Sequence, residues 1–256
     1  MKFIPTLLTS AALIFSCNAF ASDLAKEQRW ADAIDDTIME GETLMLDAGT
    51  NEFLGIFAEA YEDQNRAAII MHGTGIHPDW EQVIRPLRVG LTEHNWHTLA
   101  IQMPVLRNGA EYPEYAPLYG EVAPRINAAI AYLKEQGYDK IVLIGHSQGS
   151  TMGTYYLSQN KADILGFVGL SMPDLSGETR MMTTESLKKV KLPVLDLYDS
   201  DDLESVRTTS EQRKDSAKQE GNKNYSVVVV EGADHFFKGK NEALIEKTAE
   251  WINNLK

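Results

Sequence analysis

The chain has 256 residues, 43% hydrophobic and 24% charged, with 37 acidic side chains against 24 lysines and arginines and a net charge of −13. That length can bury a full core within one domain. The acidic excess, with no basic run to offset it, excludes a partner such as nucleic acid or an anionic membrane surface. A single cysteine excludes a disulfide framework and a thiolate metal site.

The N-terminus reads as a targeting segment. Lys2 carries a positive charge, Phe3 to Phe15 is largely apolar, and Ala19-Phe20-Ala21 has the small-x-small pattern that a signal peptidase accepts. The apolar run is too short to span a bilayer, so no stable membrane insertion is expected. Residues 1–21 are expected to be removed, leaving Ser22–Lys256 in the periplasm or outside the cell. Loss of Lys2 takes the net charge from −13 to −14. The alternatives are a buried N-terminal helix, or lipidation at Cys17, for which the bulky Phe15 makes a poor match.

Residues 22–40 form an amphipathic helical leader over Leu24 to Glu40, and 41–256 the main domain. Thr43 to Asp47 and Glu52 to Tyr61, around Gly49-Thr50-Asn51, predict an antiparallel hairpin. Short apolar runs follow at Ala67 to Met71, Thr98 to Met103, Ile141 to Ile144, Ile164 to Leu170, Val194 to Tyr198 and Tyr225 to Val230. They do not alternate with polar residues, as expected of strands covered on both faces. Helical patterns separate them at Glu81 to His94, Glu121 to Gln136, Gln148 to Gln159, Leu203 to Gln219 and Glu242 to Leu255. This alternation predicts an α/β fold with a mainly parallel twisted sheet and helices on both faces. Ligands bind such sheets beyond the carboxyl ends of the strands, and each conspicuous polar cluster here follows a strand.

Gly145-His146-Ser147-Gln148-Gly149 fits G-x-S-x-G directly between an apolar strand and a helix. The two glycines let strand and helix approach, and the tight turn lifts the Ser147 hydroxyl clear. The serine needs a base, and the base an orienting acid. His235, in Gly232-Ala233-Asp234-His235, lies between the last strand and the last helix. Asp199, Asp201 and Asp202 follow Val194 to Tyr198; Asp202 is favoured, then Asp199. His146 is expected to point away as a structural histidine. In His72-Gly73-Thr74-Gly75, the backbone N–H groups of Gly73 and Thr74 are candidates to face a developing oxyanion, with Gln148 as second donor. His72 and His77 have no acidic or cysteine ligand spacing beside them, and His94 and His97 need not converge. No metal and no cofactor is expected.

By these motifs the chain resembles the α/β-hydrolase superfamily over most of its length. There the acid commonly follows its strand as Gly-x-x-Asp; Asp199 stands in the glycine position here. His72-Gly73-Thr74-Gly75 with Pro78-Asp79-Trp80, and Gln102-Met103-Pro104-Val105-Leu106, resemble more narrowly a family of hydrolase-like Gram-negative envelope proteins of unknown function. The resemblance implies an α/β-hydrolase fold, an envelope location and, by superfamily analogy, hydrolysis through an acyl serine.

The long irregular stretch Met103 to Gly120 holds Tyr112, Tyr115 and Tyr119, which with His72 and Met181 are candidates for a substrate pocket. Between Leu170 and Pro193 there is room for a flap but for no large cap domain. The expected substrate is a small ester or thioester; amide or peptide hydrolysis would use the same parts. The alternatives outside catalysis are an envelope binding protein on this scaffold and, through lipidated Cys17, a tethered interaction protein.

Overall fold

Along each central strand, odd and even residues serve two different cores. In β3 (Arg66–Met71), Ala67, Ile69 and Met71 enter one hydrophobic cluster, while Ala68 and Ile70 enter another on the opposite face. Ile141 and Leu143 alternate in the same way with Val142 and Ile144 in β5 (Lys140–His146). A strand must read apolar throughout when both of its faces are covered.

This computed structural model describes residues 22–62, 64–219 and 221–256. The expected signal segment 1–21 and Cys17 lie outside the described residues. The remaining strands are β1 (Glu42–Asp47), β2 (Glu52–Ala58), β4 (His97–Ile101), β6 (Gly166–Leu170), β7 (Val194–Asp199) and β8 (Tyr225–Val230). They form one eight-stranded sheet in the order β1-β2-β4-β3-β5-β6-β7-β8. β2 pairs antiparallel with both neighbours, and the other pairings are parallel. The β1–β2 hairpin turns at Gly49, where φ is 79°, a conformation that favours glycine.

Helices α1 (Leu24–Asp35), α2 (Ile84–Glu93) and α8 (Asn241–Asn253) bury apolar residues on one face of the sheet. α3 (Val122–Glu135), α4 (Gln148–Gln159), α5 (Thr183–Leu187) and α7 (Ser210–Gln219) cover the other. The leader helix ends earlier than its pattern predicts. Asp35 and Asp36 put negative charge at a helix C-terminus, where the helix dipole opposes it.

Two further expectations are corrected. Leu203 to Gln219 is not one helix but α6 (Glu204–Arg207) followed by α7. At the break, Thr208 and Thr209 turn their hydroxyls back onto the carbonyls of Glu204 and Ser205, which weakens helical continuity. The stretch after β4 is not irregular throughout, because Tyr112–Glu121 is a 3-10 helix. Reciprocal bonds between Glu111 and Glu114 cap its start, and Pro117 lies inside it. A proline there has no N–H to give to a helical ladder.

Candidate active site

Ser147 sits between β5 and α4 at φ 52° and ψ −121°, a backbone conformation costly for a residue with a Cβ. The flanking glycines explain how the chain reaches it. A Cβ on Gly145 would come 2.5 Å from the Gly149 carbonyl oxygen, and one on Gly149 would press on the carbonyls of Met71 and His72. The turn is therefore tight enough that only hydrogen fits at both positions. It presents Ser147, 9% exposed, at the carboxyl end of β5.

His235 reaches this serine from the loop after β8. Its Nε2 is 2.9 Å from Ser147 Oγ, and its Nδ1 is 2.6 Å from Asp202 Oδ1. A carboxylate only accepts, so Nδ1 carries the proton and Nε2 is left to accept from the serine hydroxyl. Burial works against the Asp202 carboxylate, but hydrogen bonds from His235, Ser171 and the Leu203 N–H outweigh it and hold its pKa below the ordinary value. Asp199 lies in the same loop and touches neither imidazole nitrogen. Its Oδ1 accepts from the N–H groups of Ala233 (2.7 Å) and Asp201 (3.2 Å), and burial pushes its pKa up. Among the described residues, the non-glycine residues at positive φ are Val83, Asn95, Ser147, Ser171 and Phe237. Asp199 is not among them, so this position tolerates a side chain where the superfamily commonly has glycine.

Ser171, at the end of β6, has φ 51° and is fully buried. Its hydroxyl donates to Asp202 Oδ2, so Asp202 is held on both oxygens. Sequence reasoning missed this residue, although its place directly after an apolar run was a usable signal. His146 does not point away as expected. It turns toward the loop that carries His235, where its Nε2 is 2.9 Å from the His235 carbonyl oxygen. It is fully buried, and desolvation lowers its pKa to about 3, so it fixes the loop as a neutral ring.

A pocket of about 370 Å³ opens on Ser147 and His235. Gly73 and Thr74 are in its wall, and Gly73 is so close that a Cβ there would stand 3.0 Å from Ser147 Cβ. Gln148 opens α4, whose first N–H groups have no partner within the helix. Ile76, Tyr112, Pro173, Leu175, Leu203 and Phe236 make most of the wall apolar, with Asp174 as its carboxylate. Asp174 Oδ2 is fixed by the Thr184 N–H at 2.8 Å and the Thr183 hydroxyl at 3.2 Å.

Of the five pocket candidates, Tyr112 alone lines this cavity. Tyr115 and Tyr119 are buried in the core beside it, because the 3-10 helix turns them inward. The Tyr119 hydroxyl bonds Thr151 at 2.5 Å. Met181 also packs into that core. His72 lies behind the Gly73 turn, where its Nε2 accepts from the Met103 N–H at 2.9 Å. Desolvation lowers its pKa to about 3. It shapes the loop and does not line the pocket. The apolar wall residues were illegible in sequence, since loop leucines and phenylalanines look like core. Among the described residues no group of three or more His, Cys, Asp or Glu side chains is placed to hold a metal ion.

A sheet with only β2 reversed, and a serine, a histidine and an aspartate meeting at its carboxyl edge, define the α/β-hydrolase fold. Solved structures agree with that class. Est1E from Butyrivibrio proteoclasticus is similar at 17% identity and a TM-score of 0.65, covering 83% of this chain and 98% of its own. A putative dienelactone hydrolase from Klebsiella pneumoniae is similar at 14% identity and a TM-score of 0.66, with 84% and 98% covered. The Pyrococcus furiosus esterase Pf2001 is similar at 17% identity and a TM-score of 0.66, with 87% and 95% covered. No curated protein sequence matches the chain. Within the fold, the chain belongs to the family described as protein of unknown function, DUF3530, whose model matches residues 21–123 and 116–253.

Proposed function

We propose that this protein is a serine hydrolase that cleaves carboxylic esters through an acyl-Ser147 intermediate. The observation that carries this reading is the hydrogen-bonded line from Ser147 Oγ through His235 to Asp202, beside an apolar pocket. Ser147 Oγ attacks the ester carbonyl carbon while His235 Nε2 takes its proton. The carbonyl oxygen gains negative charge and is met by the N–H groups of Gly73 or Thr74 and of Gln148. As the tetrahedral centre collapses, the C–O bond to the leaving group breaks and His235 returns the proton to the departing alcohol. Water, deprotonated by the same imidazole, then attacks the acyl carbon. The carboxylic acid leaves and Ser147 is regenerated.

Thioesters would follow the same steps with a thiol leaving group. The names esterase and dienelactone hydrolase carried by similar structures favour an oxygen ester or lactone. The largely apolar wall favours a small apolar acyl group. We place the activity in the periplasm or outside the cell, on the strength of the leader sequence.

The test is a fluorophosphonate probe applied to Ser22–Lys256 and to the Ser147→Ala and His235→Ala variants. Labelling of the native chain and of neither variant is the expected result. A folded native chain that does not label, yet binds esters saturably even as His235→Ala, would make it a binding protein on this scaffold.

A further inference from the structure

Asp174 brings a carboxylate into an otherwise largely apolar pocket wall, and neutral donors hold it from one side. It follows β6 by three residues and is half-buried. Its Oδ2 takes the Thr184 N–H at 2.8 Å and the Thr183 hydroxyl at 3.2 Å. Among the described residues no donor meets its Oδ1 and no cation pairs with the carboxylate. The basic side chains that follow it in the chain are engaged elsewhere. Arg180 holds Glu178 at 2.9 Å, and Lys188 holds Glu185 at 2.6 Å.

The surroundings strengthen that charge. Pro173, Leu175, Leu203 and Phe236 put apolar surface in the same wall, and a charge is screened less where water is displaced. Burial pushes the Tyr112 phenol up to about 12, and the Asp174 charge adds to the rise, so its field reaches a second wall residue. The steps from Ser147 through His235 give Asp174 no task. A half-buried carboxylate without a counter-charge is costly to keep, and a bound cation offsets that cost.

We propose that Asp174 is a specificity-determining residue, selecting esters that carry a quaternary or protonated amine on the arm opposite the small apolar acyl group. The chain's net charge of −13 draws such molecules toward the pocket, and Asp174 repels esters with an acidic arm. The ester bond in this inference rests on the hydrolase reading; the preference for a cation rests on the pocket alone.

The probes are acetylcholine and 3,3-dimethylbutyl acetate, which share one shape and differ as a nitrogen cation against a neutral carbon. The ratio of their kcat/KM values is expected to favour the cation about fivefold, the reach of one partly exposed ion pair. Asp174→Asn keeps an oxygen for Thr183 and Thr184 and removes only the charge, so the ratio should fall to about one while the neutral ester is turned over as before. Asp215→Asn, at an exposed acid on α7, should leave the ratio unchanged. A ratio that survives Asp174→Asn, or falls equally in Asp215→Asn, overturns the assignment. Equal loss for both esters in Asp174→Asn also overturns it, since the carboxylate then only holds the turn into α5. Calorimetric affinities of the two esters for Ser147→Ala, with and without Asp174→Asn, read the same ratio where there is no turnover. A native chain that fails to label with fluorophosphonate yet keeps this ratio loses the hydrolase reading and retains the cation site. One that labels and shows no ratio loses the cation site alone.

Discussion

Asp199 and Asp202 stand three residues apart on one loop, and their hydrogen bonds set them to different tasks. Asp202 receives the His235 N–H and the Ser171 hydroxyl, while Asp199 receives the backbone N–H of Ala233 in the loop that carries His235. If the hydrolase reading holds, Asp202→Asn offers an amide where the imidazole needs an acceptor, and kcat for an ester falls by about 10⁴. Asp199→Asn keeps the Oδ1 acceptor for Ala233 and Asp201, and its loss should stay on the order of tenfold or less. Steady-state kinetics on both variants decides the matter; equal losses would mean that the two carboxylates act as a unit.

Packing between whole elements sets the turn that carries Ser147. A Cβ on Gly149 would approach backbone oxygens of Met71 and His72 at under 3.0 Å, and backbone cannot swing aside as a side chain can. Gly149→Ala is therefore expected to cost about 1–3 kcal/mol and to abolish labelling of Ser147, because α4 must move away from β3. Gly120→Ala is the control, since a Cβ there meets nothing within 4 Å and its φ is not positive. That change should stay within about 0.5 kcal/mol. Urea unfolding of both variants checks the pair, and a Gly149→Ala chain as stable and reactive as the Gly120→Ala chain would contradict the packing argument.

Two buried neutral histidines tie the stability of the whole molecule to pH. Desolvation lowers both His72 and His146 from 6.5 to about 3. The folded state thus refuses a proton that the unfolded chain accepts, so the stabilisation is present above pH 6.5 and is lost as pH falls toward 3. Between pH 6.5 and 5 each imidazole accounts for a loss of about 2 kcal/mol. In His72→Gln, denaturant unfolding across this window should show a shallower decline than in the native chain. An unchanged slope would put the acid sensitivity elsewhere.

The alternation of strands and helices, the hairpin, the glycine-flanked serine and the chain order serine, aspartate, histidine were all legible in the residues. Each is a local pattern, set by side-chain period and by backbone sterics within a few positions. Helix ends and the 3-10 segment were less so, because Thr208, Thr209 and Pro117 act through particular hydrogen bonds made or lost. The sequence by itself determined the fold class and the candidates for serine, base and acid. Only the tertiary structure decided that Asp202 and not Asp199 meets His235, and that Ser171 stands behind it. It also decided that Tyr115, Tyr119, His72 and Met181 turn away from the pocket while Leu203 and Phe236 line it. Sheet order and helix packing bring together groups as much as 187 positions apart, as at Arg66 and Asn253, and no local periodicity records which of them will meet.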